Sequence, residues 1–177
     1  MCSKNDPLLF LLDANACNAL QRIGELNELE HLAHARKIDL MYTETTWDEA
    51  QFGSQIRRDK VRQFFFVGLS KDQENNLLQQ PWREDIGRLV FPHGIKSDGQ
   101  RRDIEALLTV KMSCGYFVSS DGGSKKQPGG ILGHKSQLAV LGIEVLNFTE
   151  ALKYALQVVS NNDTNRNLIT QLRREHI

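Results

Sequence analysis

Two short apolar runs that each lead into an acid constrain this chain more than any other feature. Leu8-Leu9-Phe10-Leu11-Leu12 closes on Asp13, and Tyr116-Phe117-Val118 passes through Ser119 and Ser120 to Asp121. Neither run alternates polar with apolar residues. A continuous apolar run too short for a helix reads as a strand covered on both faces, the usual state of strands in parallel sheets. Ile38 to Tyr42 and Ile143 to Leu146 read as two further strands. Between them lie stripes of helical period: Ile104, Leu107, Leu108 and Met112, then Leu152, Ala155, Leu156 and Val159. Ala16, Ala19, Leu20 and Ile23 predict a helix just after the first strand, and Val61, Phe64, Phe65 and Gly68 another in mid-chain. Strands alternating with helices define an α/β fold with a central parallel sheet covered by helices on both faces.

With 177 residues and no internal repeat, the chain is expected to hold one domain over residues 1–159. Residues 54–99 read as a helical and loop insertion, and the polar stretch 160–177 as a C-terminal tail with a short helix near Leu168–Leu172. At least two of Phe64, Phe65 and Phe66 are expected in the core. Ser119 to Gly130 holds four glycines and Pro128 and reads as a long loop. Lys plus Arg number 22 and Asp plus Glu 22, so binding to a polyanion through bulk positive charge is excluded. Cys2, Cys17 and Cys114 are too scattered for a disulfide framework or a structural zinc site and suit a reducing cytosol. The Leu8–Leu12 run is too short for a signal-peptide core or a membrane span, so a cytoplasmic protein is expected.

In such a sheet, ligands bind at the carboxyl ends of the strands, near the point where strand order reverses. Asp13 and Asp121 stand at those ends. Asp103 is expected to open the helix before the third strand, and Glu49 lies in a helical stretch after the second. Any one of these acids could be a turn residue or helix cap. Together they could share one crevice, where carboxylates raise each other's pKa unless a cation neutralises them. Hard divalent ions such as Mg2+ or Mn2+ favour all-oxygen shells, and they activate water and stabilise phosphate charge. Metal-dependent phosphodiester chemistry is the reading that follows.

The ordered set Leu11-Leu12-Asp13-Ala14-Asn15, Glu49-Ala50-Gln51-Phe52-Gly53, Asp103-Ile104-Glu105-Ala106 and Phe117-Val118-Ser119-Ser120-Asp121 resembles the PIN (PilT N-terminus) domain signature. The resemblance spans about residues 7–150. It implies a three-layer sandwich and a metal-dependent endoribonuclease hydrolysing RNA phosphodiesters, of the kind found in toxin–antitoxin pairs and RNA processing. Asp13, Glu49, Asp103 and Asp121 would be the metal-binding, catalytic acids, with Asn15 and Ser119 as polar helpers. An antitoxin or other protein partner, and a homodimer, are implied too. The chain departs from the family pattern after Asp121, where Gly122-Gly123-Ser124-Lys125-Lys126 replaces a further acid or Asn. Asp48 beside Glu49 and Asp98 before Asp103 leave the register of those two acids open.

Arg101, Arg102, Lys125, Lys126 and Lys135, with His134, flank the acids and suit a basic rim that grips RNA phosphates. The same residues also suit a solvated loop. His31 and His34 share a helix face without a third ligand and read as surface residues. The glycine-rich loop lacks P-loop spacing, and no nucleophile elbow appears. Two other functions stand beside the ribonuclease. One is a catalytically weak PIN-fold module that binds RNA or a protein. The other is a phosphotransfer domain with Asp13 as phospho-acceptor.

Overall fold

The first strand, β1 (Leu9–Leu12), has no polar side chain and is the centre of the sheet. The computed structural model describes residues 8–19, 22–51, 54–68, 79–124 and 127–175. β1 pairs in parallel with β2 (Asp39–Thr43) on one side and with β4 (Tyr116–Val118) on the other. β3 (Phe66–Val67) adds to β2, and β7 (Glu144–Leu146) adds to β4, both in parallel. The five-stranded order is therefore β3-β2-β1-β4-β7. β5 (Gly123–Ser124) and β6 (Gln127–Pro128) form a separate antiparallel pair within the loop after β4.

Alternate residues of the strands feed two cores. Phe10, Leu12, Leu40, Tyr42 and Val118 pack on one face with α2 (Gly24–His34), through Leu26 and Leu29, and with α9 (Phe148–Glu175), through Ala151 and Ala155. Leu11, Phe117 and Val145 pack on the other with α5 (Gln80–Val90), through Ile86 and Val90, and with α6 (Asp98–Ser113), through Ile104, Leu107 and Leu108. Helix, sheet and helix make three layers, as expected of continuous strands that need cover on both sides. This is an α/β, PIN-like architecture.

Several local expectations give way. The helix placed across Val61–Gly68 stops early: α4 covers Gln55–Val61, and the chain then extends into β3. Phe-Phe-Val favours a pleated strand, and the Phe65 carbonyl accepts from the Tyr42 N–H at 3.0 Å. Only Phe64 of the three phenylalanines is buried; Phe65 is 80% and Phe66 48% exposed. The 54–99 segment therefore contributes an edge strand to the central sheet as well as helices. Of the stripe from Ala16 to Ile23, Ala16 lies in α1 (Ala14–Asn18), Ala19 follows its end and Ile23 precedes α2, while Leu20 lies outside the described residues. At the other end α9 runs unbroken to Glu175, because no Gly or Pro interrupts residues 148–175. Cys17 is a free, buried thiol, but Cys114 is disulfide-bonded, contrary to the expectation that the cysteines stay reduced. Among the described residues no helix is long and apolar enough to cross a membrane.

Candidate active site at the carboxyl edge of the sheet

The chain runs from β1 through β2 to β3 on one side and then crosses to β4 and β7 on the other, so the switch point lies between β1 and β4. Asp13 leaves the end of β1, and its N–H donates to the Val118 carbonyl of β4 at 3.0 Å. Its side chain is buried and caps α1. Oδ1 accepts from the Ala14 N–H at 2.6 Å, while Oδ2 accepts from Asn15 Nδ2 at 3.0 Å and from the Ser119 hydroxyl at 2.6 Å. Burial pushes the Asp13 carboxyl up in pKa; the Ser119, Ala14 and Asn15 donors pull it back, and the nearby Asp121 charge pushes it up again.

Ser119, fully buried, joins two acids. Its oxygen donates to Asp13 and accepts from the Asp121 N–H at 2.9 Å. Asp121 is then fixed by the loop that follows: Oδ1 accepts from the Gly123 N–H at 2.9 Å and Oδ2 from the Ile131 N–H at 3.0 Å. Gly130, at φ +52, comes so close that a Cβ there would stand 2.5 Å from the Gly123 nitrogen and 2.6 Å from the Asp121 carboxyl group. Only glycine satisfies both the left-handed backbone and that approach.

Asp103 projects from α6 and Glu49 from α3 (Glu44–Gln51). Burial raises the Asp103 pKa from its ordinary 3.8 to about 7, and the charges of Asp13, Asp121 and Glu49 add to the rise. All four sequence-derived acids are thus within electrostatic reach of one proton. Asp103 does not open its helix: α6 begins at Asp98, capped by the Ser97 hydroxyl, and Asp103 sits more than a turn inside. Asp98 is exposed and paired with Arg101 at 2.7 Å, and Asp48 is exposed.

The basic residues divide. Arg102 reaches across from α6 and donates from Nη1 to Glu49 Oε1 at 3.3 Å, placing a guanidinium on one of the four acids. Arg101 is held by Asp98, and Lys135 by Glu150 at 2.5 Å. Lys125 and Lys126 lie outside the described residues. Sequence reasoning missed Gly130 as a former of the site, although its place in a Gly-Gly pair nine residues from Asp121 was visible.

A divalent cation suits the donor chemistry, which is all oxygen, and would relieve the repulsion that holds a proton on Asp103. As placed, however, no three His, Cys, Asp or Glu side chains among the described residues form a group that could hold one ion. Asp13 and Asp121 already carry donors on both oxygens, and Glu49 is engaged by Arg102.

The five-stranded parallel sheet between two helical layers defines an α/β domain consistent with a PIN-like fold. No protein-family model matches the chain, and no curated protein matches it by sequence. Among solved structures it is similar to a chain in the crystal structure of VapBC2 from Rickettsia felis bound to a DNA fragment from their promoter. The identity is 14%, the TM-score 0.50, and the match covers 79% of this chain and 98% of that one. A likeness at that identity establishes the fold alone.

Proposed function

We propose that this chain is a Mg2+- or Mn2+-dependent endoribonuclease whose centre comprises Asp13, Glu49, Asp103 and Asp121. The observation that carries the reading is the Ser119 hydroxyl that joins Asp13 to Asp121 at the carboxyl ends of neighbouring strands, with the Asp103 carboxyl raised in pKa by burial and by the charges of the other three acids. Carboxylates crowded at the switch point of a sheet are costly to folding and suit a site that binds a cation. To hold a metal there, Asp13, Asp121 and Glu49 would have to release their present partners; the ion would supply a water of lowered pKa and neutralise charge on the scissile phosphate. Ser119 and Asn15 keep Asp13 in one orientation, and Ser119 ties that orientation to Asp121. Arg102 pairs with Glu49 and would exchange it for an RNA phosphate; Arg101, Lys125, Lys126 and Lys135 would extend the basic rim.

The Arg102–Glu49 pair also favours a second reading, a weakly active or inactive module that binds RNA or a protein, because one acid is already neutralised. A phosphotransfer role for Asp13 is disfavoured by its burial and by the donors on both of its oxygens. The likeness to a chain of a VapBC2 complex supports an antitoxin or other protein partner, and homodimerisation belongs to the same proposal.

The test is incubation of the full chain with structured and single-stranded RNA, with Mn2+ or with EDTA, beside Asp13→Asn and Asp121→Asn. Mn2+-dependent cleavage lost in both variants is the expected result. Equal cleavage by the variants would identify a contaminating nuclease and remove the assignment. RNA binding without cleavage would favour the module, and phosphate incorporation at Asp13 the phosphotransfer domain.

A further inference from the structure

Away from the four acids, α5 and α6 part to leave a cleft of about 600 Å³, within the range of roughly 300–1,000 Å³ typical of small-molecule sites. None of Asp13, Glu49, Asp103 and Asp121 lines it. Its walls include Phe91, Ile95 and Ile104, and its floor includes Gly87. Gly87 sits inside α5 with no left-handed backbone to require it, although glycine in a helix interior costs about 1 kcal/mol relative to alanine. A Cβ there would stand 3.3 Å from Ile104 Cδ1 and 3.7 Å from Ile95 Cδ1. Glycine lets those two side chains close against α5, and a larger residue there would displace them into the cleft.

The rim is basic. Arg83 is locked in a bidentate pair with Glu105, at 2.7 and 3.1 Å, and that pair is neutral. Glu84 accepts from Gln80 at 3.2 Å. Arg88 and Arg101 stand across the opening from each other, one on α5 and one on α6, 75% and 70% exposed. Each holds only an acid three residues away on its own helix, Asp85 or Asp98. Exposed pairs of this kind contribute little, so either guanidinium can turn to a stronger anion at small cost. Two planar forks beside an apolar slot suit a ligand with a flat apolar body and a phosphate.

We propose that this cleft binds a nucleotide unit, with the base between Phe91, Ile95 and Ile104 and the phosphate on Arg88 and Arg101. The unit is either a free mononucleotide or one residue of an RNA strand. The site needs neither the four acids nor a metal, and Arg101 is the one residue it shares with the proposed RNA rim.

The test is amide chemical-shift titration of the full chain in EDTA with 5′-AMP and 5′-UMP, beside adenosine, ribose 5-phosphate and a short RNA. Saturable shifts at Gly87, Ile95 and Ile104 are expected, with adenosine and ribose 5-phosphate each at least tenfold weaker. Arg88→Ala/Arg101→Ala, which alters only exposed side chains, should weaken mononucleotide binding at least tenfold. Gly87→Leu should block it, and the double arginine variant still decides the matter if that chain fails to fold. Asp121→Asn should bind as the native chain does, whatever becomes of cleavage. A short RNA that competes and binds more tightly than AMP identifies a strand as the source; AMP binding as tightly as RNA identifies a free nucleotide. The proposal is overturned by absence of saturable shifts, unchanged binding in the arginine variant, adenosine binding as tightly as AMP, or loss of binding in Asp121→Asn.

Discussion

Replacing Asp103 by Asn should stabilise the metal-free protein at alkaline pH, although a side chain of the proposed active site is being altered. The folded-state pKa of Asp103 is raised from 3.8 to about 7. The folded chain therefore holds this proton more tightly than the unfolded chain does. The stability it contributes is complete below about pH 4 and is lost as the pH rises to about 7; above that the cost of the buried charge is constant. A shift of about three units at about 1.4 kcal/mol each sets an upper bound of about 4 kcal/mol. Partial exposure and solvent screening reduce this to about 2–4 kcal/mol. Asn resembles the protonated acid in shape and cannot ionise, so the two chains should differ little at pH 4 and most at pH 8. Urea denaturation in EDTA at intervals from pH 4 to 8 measures the difference. Melting temperatures at pH 8 should separate by about 4–16 °C, at about 2–4 °C per kcal/mol for a chain of this length. Parallel pH profiles for the two chains, or an Asn variant less stable at pH 8, would refute the clustering of acids around Asp103.

The remaining predictions concern the parts that hold the site and its edge. Ser119→Ala removes the donor to buried Asp13 and the acceptor for the Asp121 N–H; denaturation should show a loss of about 1–3 kcal/mol, and carbon-detected titration should show the Asp13 pKa rising further. Gly130→Ala forces a methyl group against Asp121 in a left-handed backbone; a loss of about 1–3 kcal/mol is expected by denaturation, together with most of the Mn2+ affinity by calorimetry. Phe64→Ala should cost about 3–5 kcal/mol in urea. Phe65→Ser, at a position 80% exposed, should stay within about 0.5 kcal/mol of the native chain.

Sequence alone made the sheet largely legible because its two central strands, β1 and β4, bury both faces. Burial on both sides leaves an uninterrupted apolar run, as at Leu9–Leu12 and Tyr116–Val118. The fifth strand was hidden because β3 lies at the sheet edge, where only two residues pair and Phe65 and Phe66 face outward. Three successive phenylalanines resemble a core helix when their faces are unknown. The four acids could be singled out from their order and position, but two could not be assigned their register. Only the geometry of α6 distinguishes Asp103, held among like charges, from Asp98 on the surface. The grip on Asp121 was hidden for a different reason. It comes from backbone N–H groups of Gly123 and Ile131, and main-chain donors leave no trace in residue type. The ion pair between Arg102 and Glu49 joins positions 53 residues apart and depends on how α3 packs against α6.

The account rests on the claim that Asp13, Glu49, Asp103 and Asp121 form one site for a divalent cation. Calorimetric titration with Mn2+ in buffers of different ionisation enthalpy tests it most directly, because it reads both the bound ion and the displaced proton. Saturable Mn2+ binding is predicted, weakened at least tenfold in Asp13→Asn and in Asp121→Asn. With the Asp103 pKa near 7, binding should release about 0.9 proton per chain at pH 6 and about 0.1 at pH 8. Absence of saturable binding, or binding that both variants retain with no proton released at pH 6, would contradict it.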